Sequence, residues 1–172
     1  MTSLRETIPL QKVKIVKKSI GGIWGAFLFF GFLSIFVAAF LWLPEAEDIP
    51  EVLDVVRKAL GIAWFVFLAL LFCWIPVYQY LYYQRYFYDM DEKNIVIRKG
   101  VWAQKEITLP FSRITDVYVD QDILDVPFKL YDVHISTPTE SSGMFAHIDG
   151  INKEGSQQLR QMILDKINQE NS

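Results

Sequence analysis

The sequence predicts an α+β membrane protein: two transmembrane helices forming a helical hairpin, then an antiparallel β-barrel or sandwich closed by a C-terminal helix. Three observations lead there. Ile20–Leu43 and Ala59–Gln84 contain no charged side chain. From Arg85 onward, short runs alternate apolar and polar residues, the period of half-buried strands. The closing segment "NKEGSQQLRQMILDKINQ" puts Leu159, Met162, Ile163 and Ile167 on one helical face.

The two charge-free runs account for much of the 52% hydrophobic content of the 172 residues. About 20 helical residues cross a ~30 Å hydrocarbon core, so each run is long enough to span. The first is too long for the apolar region of a signal peptide and lacks a small-x-small cleavage site. Nor does "IWGAFLFFGFLSIFVAAFLWL" have a polar face to turn to water, as a helix of a soluble bundle would. The chain then divides into a basic cytoplasmic N-terminus (1–19), a first span (20–43), a short acidic extracytoplasmic linker (44–58), a second span (59–83) and a cytoplasmic domain (85–172).

Charge sets the expected orientation. Arg5, Lys12, Lys14, Lys17 and Lys18 precede the first span against a single Glu6, whereas the linker carries Glu45, Glu47, Asp48, Glu51 and Asp54 against Arg57 and Lys58. Basic flanks stay inside, so both termini are expected in the cytoplasm of a multi-pass cell-membrane protein. Trp42 at one end, and Trp74, Tyr78, Tyr80, Tyr82 and Tyr83 at the other, read as interfacial aromatic residues. Val52, Val55, Val56 and Ala59 share a helical side and lead into the second span. Gly21 with Gly25, Gly22 with Ala26, and Ala59 with Ala63 have small-xxx-small spacing, suited to packing the hairpin or a dimer; Pro76 is placed to kink the second helix. One cysteine, Cys73, excludes an intrachain disulfide.

In the cytoplasmic part the runs "RYFYDM", "NIVIRK", "KEITL", "ITDVYVD", "YDVHIS" and "MFAHI" read as strands. Residues directly opposite in an antiparallel pair share a face, so parity fixes the register. Tyr88 and Met90 are expected opposite Ile97 and Ile95, which in turn face Ile107 and Leu109. Arg98 then lies opposite Glu106 on the outer face, and Lys99 opposite Lys105 at the mouth of the hairpin. Val117 and Val119, Val133 and Ile135, and Ala146 and Ile148 continue the inner face. Asn152 suits the N-cap of the final helix, with Glu154 in its first turn.

The stretch "YDMDEKNIVIRKGVWAQKEITLPFSRITDVYVDQDILDVPFKLYDVHIST" resembles the bacterial pleckstrin-homology (PH) domain of the YdbS-like type. It shares that type's "IRKG" hairpin, its "P-x-SRI-x-x-V-x-V-x-Q" segment and its "LYDV-x-I-x-T" strand, from about Tyr86 to Ile167. The resemblance implies a PH-like domain anchored by two spans. Lys129 stands where such proteins usually carry glycine, and "PTESSGMF" replaces a glycine-rich run.

No catalytic constellation is evident. There is no GxSxG and no phosphate-cradling glycine loop, and the two histidines, His134 and His147, fall on outward positions, where one of two registers sets them opposite each other. No cofactor and no metal is expected, and no enzymatic activity. Residues 85–172 hold ten basic against fourteen acidic side chains, a net of −4, which argues against nucleic acid and against attraction to an anionic leaflet. The expected function is that of a non-enzymatic membrane protein whose PH-like domain serves as an interaction or assembly adaptor, with a protein partner or self-association beside the lipid bilayer itself. The alternative is a sensor of lipid or another anionic ligand, its candidate contacts Lys99, Trp102 and Lys105 at the hairpin tip and Arg113 of "PFSRI".

Overall fold

The structure, a computed structural model, describes residues 3–41, 51–138 and 146–170. Trp42, Glu45, Glu47, Asp48 and most of "PTESSGMF" lie outside them. The chain forms two compact units, residues 18–79 and residues 1–17 with 80–172.

The described residues of the first unit, 18–41 and 51–79, belong to two helices, α2 (Val13–Leu41) and α3 (Glu51–Arg85), each long and apolar enough to cross a membrane. Both helices begin before the charge-free runs do. Charge marks where the apolar surface starts, whereas the helical backbone continues through lysines and glutamates at its ends. Trp64 Nε1 donates to Ser34 Oγ at 3.0 Å, and that hydroxyl donates to the Phe30 carbonyl at 2.7 Å. A polar clasp of this kind has no competing water in an apolar medium. Phe30 packs on Trp64 and Phe67 around it. The glycines in closest approach are Gly22, where a Cβ would meet Ile75 at 3.0 Å, and Gly61, where it would meet Leu41 at 2.6 Å. Gly21 and Gly25, the first small-xxx-small pair, face open space instead. Pro76 lies inside α3.

Among the described residues the other unit holds six strands in two three-stranded antiparallel sheets. The first is β1 (Phe87–Met90), β2 (Asn94–Lys99) and β3 (Lys105–Pro110); the second is β4 (Asp116–Asp120), β5 (Tyr131–Ser136) and β6 (His147–Ile151). Among the described residues no ladder closes them into a barrel; Pro110 and the 3-10 turn Phe111–Arg113 separate the sheets in sequence. In the first sheet the register is the one parity predicts, Tyr88↔Ile97 and Met90↔Ile95, then Ile97↔Ile107 and Ile95↔Leu109; in the second, Val117↔Ile135 and Val119↔Val133 bring together the residues expected on the inner face. Ile95, Ile97, Leu109, Val117, Val133, Ile135 and Ile148 are buried. Helix α4 (Lys153–Glu170) contributes buried Leu159 and Ile163, with Met162 and Ile167 partly buried against the same core. The Asn152 side chain caps α4, accepting from Gly155 N–H at 3.0 Å.

An element that alternation did not foresee completes this core. Residues 3–17, comprising the short turn α1 (Leu4–Thr7), an extended stretch and the first residues of α2, lie against the sheets as a strap. Leu4, Ile8 and Leu10 are buried in the common core. Gln11 N–H donates to the Gly150 carbonyl at 2.8 Å, and Leu4 N–H to Asp89 Oδ1 at 3.0 Å. Tyr83 Oη donates to the Leu10 carbonyl at 2.9 Å, and Tyr88 Oη to that of Ile8. Arg5 reaches the carbonyls of Tyr83 and Gln84 and sits over the Tyr83 ring. Tyr82 and Tyr83, expected at a membrane interface, instead pack against this core. The strap's Leu10 carbonyl accepts from the Tyr83 hydroxyl, and its Arg5 and Lys14 lie over the Tyr83 and Tyr82 rings.

Lys129 takes φ 52° and ψ 39°, the left-handed conformation in which glycine is unstrained, at the end of the 3-10 turn Val126–Phe128. A lysine in this conformation bears the steric cost that a glycine would not. Lys129→Gly is expected to stabilise the domain by about 0.5 kcal/mol, the ~1–2 kcal/mol of left-handed strain less the ~0.5–1 kcal/mol entropic cost of glycine. The check is the thermal unfolding midpoint of the full chain in detergent, expected to rise by a few degrees.

Candidate functional site

The hairpin tip is built as the sequence suggests. Arg98 Nε meets Glu106 Oε2 at 2.6 Å on the exposed face, and Lys99 pairs with Lys105 in register at its mouth. Gly100, at φ 123°, makes the turn; a Cβ there would lie 2.0 Å from the Ala103 carbonyl oxygen. Val101 is buried and its carbonyl accepts from Arg85, the last residue of α3, while Trp102 beside it is 80% exposed. Neither Lys99 nor Lys105 is free of interactions. Arg113 is exposed at the far end of β3, beyond Pro110. Six residues of strand rise ~3.3 Å each, so about 20 Å separates it from the tip. The structure brings Lys99, Trp102 and Lys105 together and leaves Arg113 apart.

A second constellation is one that sequence reasoning missed. Lys14 Nζ is buried and donates to Asp149 Oδ1 at 2.6 Å and to the Asp149 carbonyl at 2.9 Å, 4.2 Å from the centroid of the Tyr86 ring. Lys17 Nζ lies 2.5 Å from Oδ1 of Asp125, which is fully buried. Asp132 lies in the same region, its Oδ1 accepting from Gly150 N–H at 2.9 Å. An irregularity in the β5–β6 register between Tyr131 and Val133 makes Asp132 and Val133 both buried, where strict alternation would expose one. Burial first, and then the Asp149 charge, raises the Asp132 carboxyl to about 6, although Gly150 N–H pulls the other way. Burial likewise raises the Tyr86 and Tyr88 hydroxyls, with Asp149 adding to the effect at Tyr86. Both phenols stay neutral and act as donors, Tyr86 Oη to the His147 carbonyl at 2.9 Å.

Gly150 is tied to this arrangement by space as well as by hydrogen bonds. It has φ 84°, and a Cβ there would stand 2.5 Å from Lys14 Cδ. The signal available in the sequence was faint: aspartates embedded in apolar contexts, "ILDVP" and "HIDG", and a strap in which Leu4, Ile8 and Leu10 precede the lysines.

The strap also changes the charge of the domain. Residues 1–17 add Arg5, Lys12, Lys14 and Lys17 against Glu6, so the unit of 1–17 with 80–172 has fourteen basic and fifteen acidic side chains, a net of −1 rather than −4. The repulsion from an anionic leaflet inferred from residues 85–172 alone is therefore largely offset within the domain.

The histidines adopt the register that sets them opposite each other, His134↔His147. They are half-buried in a stack: Tyr118 on His134 at 4.9 Å between centroids, His134 on His147 at 5.5 Å. His134 Nε2 is 3.1 Å from Asp120 Oδ1. Asp120, Asp132 and His134, and separately Asp122, Asp125 and Asp132, bring ligand-type atoms within 4.8 Å of one another. In the second group the Lys17 ammonium already supplies a positive charge to Asp125.

The bacterial PH domain family model matches residues 27–167, from within the first apolar helix to the last turns of α4. No curated protein and no solved structure matches the chain.

Proposed function

The chain belongs to the bacterial PH domain family, and from that premise we propose a non-enzymatic, membrane-anchored adaptor of the YdbS-like type. The observation that carries this reading is the joining, in one chain, of a PH-like domain to two helices long and apolar enough to cross a membrane. A domain held at the bilayer by spans needs no lipid affinity for its localisation, so its surface is available to proteins. Both termini lie in the cytoplasm in this reading, with the segment between α2 and α3 outside. Sheet edges and the exposed Tyr118 offer places for a protein partner or a second copy.

Crosslinking in native membranes followed by purification in mild detergent tests the proposal. A reproducible heteromeric or homomeric product that depends on the domain is expected; a monomer alone under all crosslinkers would sink it.

A sensor for anionic headgroups is the second reading, favoured by the exposed Trp102 between Lys99 and Lys105. It requires the full chain to retain soluble inositol phosphate or phosphatidylglycerol headgroup analogues and to lose them on Lys99→Glu with Lys105→Glu.

A further inference from the structure

Between β4 and β5 the chain makes a knuckle, "QDILDVPF", whose aliphatic side chains point away from the core. Ile123 is 90% exposed, Leu124 54% and Val126 58%. Three large apolar residues exposed within four positions are unusual for a surface turn. The knuckle is nevertheless well formed. Asp122 accepts through its carbonyl from Asp125 N–H at 2.8 Å, and Gln121 Nε2 donates to the Leu130 carbonyl at 3.0 Å. The exposure is therefore held by the fold.

What covers this surface is indicated by its one charged tie. Asp125, in the middle of the knuckle, is paired at 2.5 Å with Lys17. Lys17 stands three residues before Ile20, where the first charge-free run begins. Three helical residues rise only about 4.5 Å, so the residue that ties the knuckle stands, along α2 itself, within one turn of the start of the apolar run. The pairing also compensates the Asp125 carboxylate, which alone would oppose entry into a headgroup layer. The hairpin tip repeats this construction at the other span: Arg85, the first charged residue after Ala59–Gln84, holds the Val101 carbonyl, and Trp102 beside it is exposed.

We propose that the knuckle Ile123–Val126 is a bilayer-contacting surface, its aliphatic side chains seated in the interfacial layer of the membrane. The partner is the lipid surface itself, recognised by apolar contact and not by headgroup charge. This rests on the membrane-anchored reading above and goes beyond its adaptor role: an adaptor with no partner in a given membrane would still make the contact.

The test is collisional accessibility of a nitroxide label on the full chain in phosphatidylcholine vesicles, with Cys73→Ser removing the native thiol. Labels are placed at Ile123→Cys, at Leu124→Cys as a second reporter, and at Glu92→Cys in the exposed β1–β2 turn as the aqueous reference. Since these side chains are exposed, the substitutions leave the core intact. The expected result is an oxygen-to-nickel-chelate ratio at positions 123 and 124 several-fold above that at 92. A ratio equal to the reference at both would overturn the proposal. So would spin–spin broadening at position 123 with aqueous nickel access, which would assign the knuckle to a second copy of the chain.

Discussion

Lys14→Ala is expected to release the N-terminal strap from the domain. Lys14 and Asp149 are both buried, and the ammonium also accounts for a hydrogen bond to the Asp149 carbonyl and a contact over the Tyr86 ring. Removing one partner of such a pair leaves a buried carboxylate without its counter-charge, at a cost of about 3–5 kcal/mol. The domain can avoid this by letting water in, and the strap is the element that moves, since it holds the deleted side chain. Hydrogen exchange reads the effect at Gln11 N–H, bonded to Gly150, and at Leu4 N–H, bonded to Asp89. Exchange of both amides should accelerate by roughly 10²–10³-fold, while amides of β2 change far less. Lys14→Met with Asp149→Leu, which removes both charges, should recover much of the protection. Unchanged exchange at Gln11 in the single variant would show that the pair does not hold the strap.

The strap marks the limit of what the sequence made legible. Pairing in the first sheet followed from parity alone, because each strand has one buried face and a slip by one residue would expose Ile95, Ile97, Ile107 and Leu109 together, whereas in the second sheet parity gave the inner faces and left two registers open for the strands of His134 and His147. The α4 cap and its apolar stripe were readable for a similar reason: Asn152, Leu159 and Ile163 express local preferences that no distant contact reverses. Lys14 and Lys17 carried no such local signal. A lysine ahead of an apolar run ordinarily faces water, and only a partner 135 residues away in the sequence makes burial of Lys14 tolerable. Asp132 was hidden for another reason, since an irregular register overrides alternation. At the candidate tip, Arg98 was correctly assigned to Glu106, whereas Arg113 had only a motif to place it and lies at the other end of its strand.

That hidden cluster has an expected pH response, and its sign follows from its charges. Asp132 is faced by Asp149 and Asp125, by the ammonium groups of Lys14 and Lys17 that pair with them, by Gly150 N–H, and by the neutral Tyr86 hydroxyl that Asp149 also acts on. Among the buried groups two lysines face three carboxylates, and one proton on Asp132 balances that buried set; the exposed Asp120 and Asp122, and His134, also bring side-chain atoms within 4.8 Å of Asp132. Its carboxyl is raised from 3.8 to about 6 in the folded domain. The folded state therefore binds a proton more tightly than the unfolded chain does. The resulting stability is fully present below the unfolded value and is lost as pH rises through about 6. Between pH 8 and pH 5 the contribution amounts to about 1.4 kcal/mol, roughly tenfold in the opening equilibrium. Strap protection in the full chain, corrected for the intrinsic pH dependence of exchange, should thus be greater at the acidic end of that window. Asp132→Asn keeps an oxygen to accept from Gly150 N–H but cannot ionise, so its protection should be flat across the same range. Equal pH dependence in the wild-type chain and in Asp132→Asn would assign the response to groups other than Asp132.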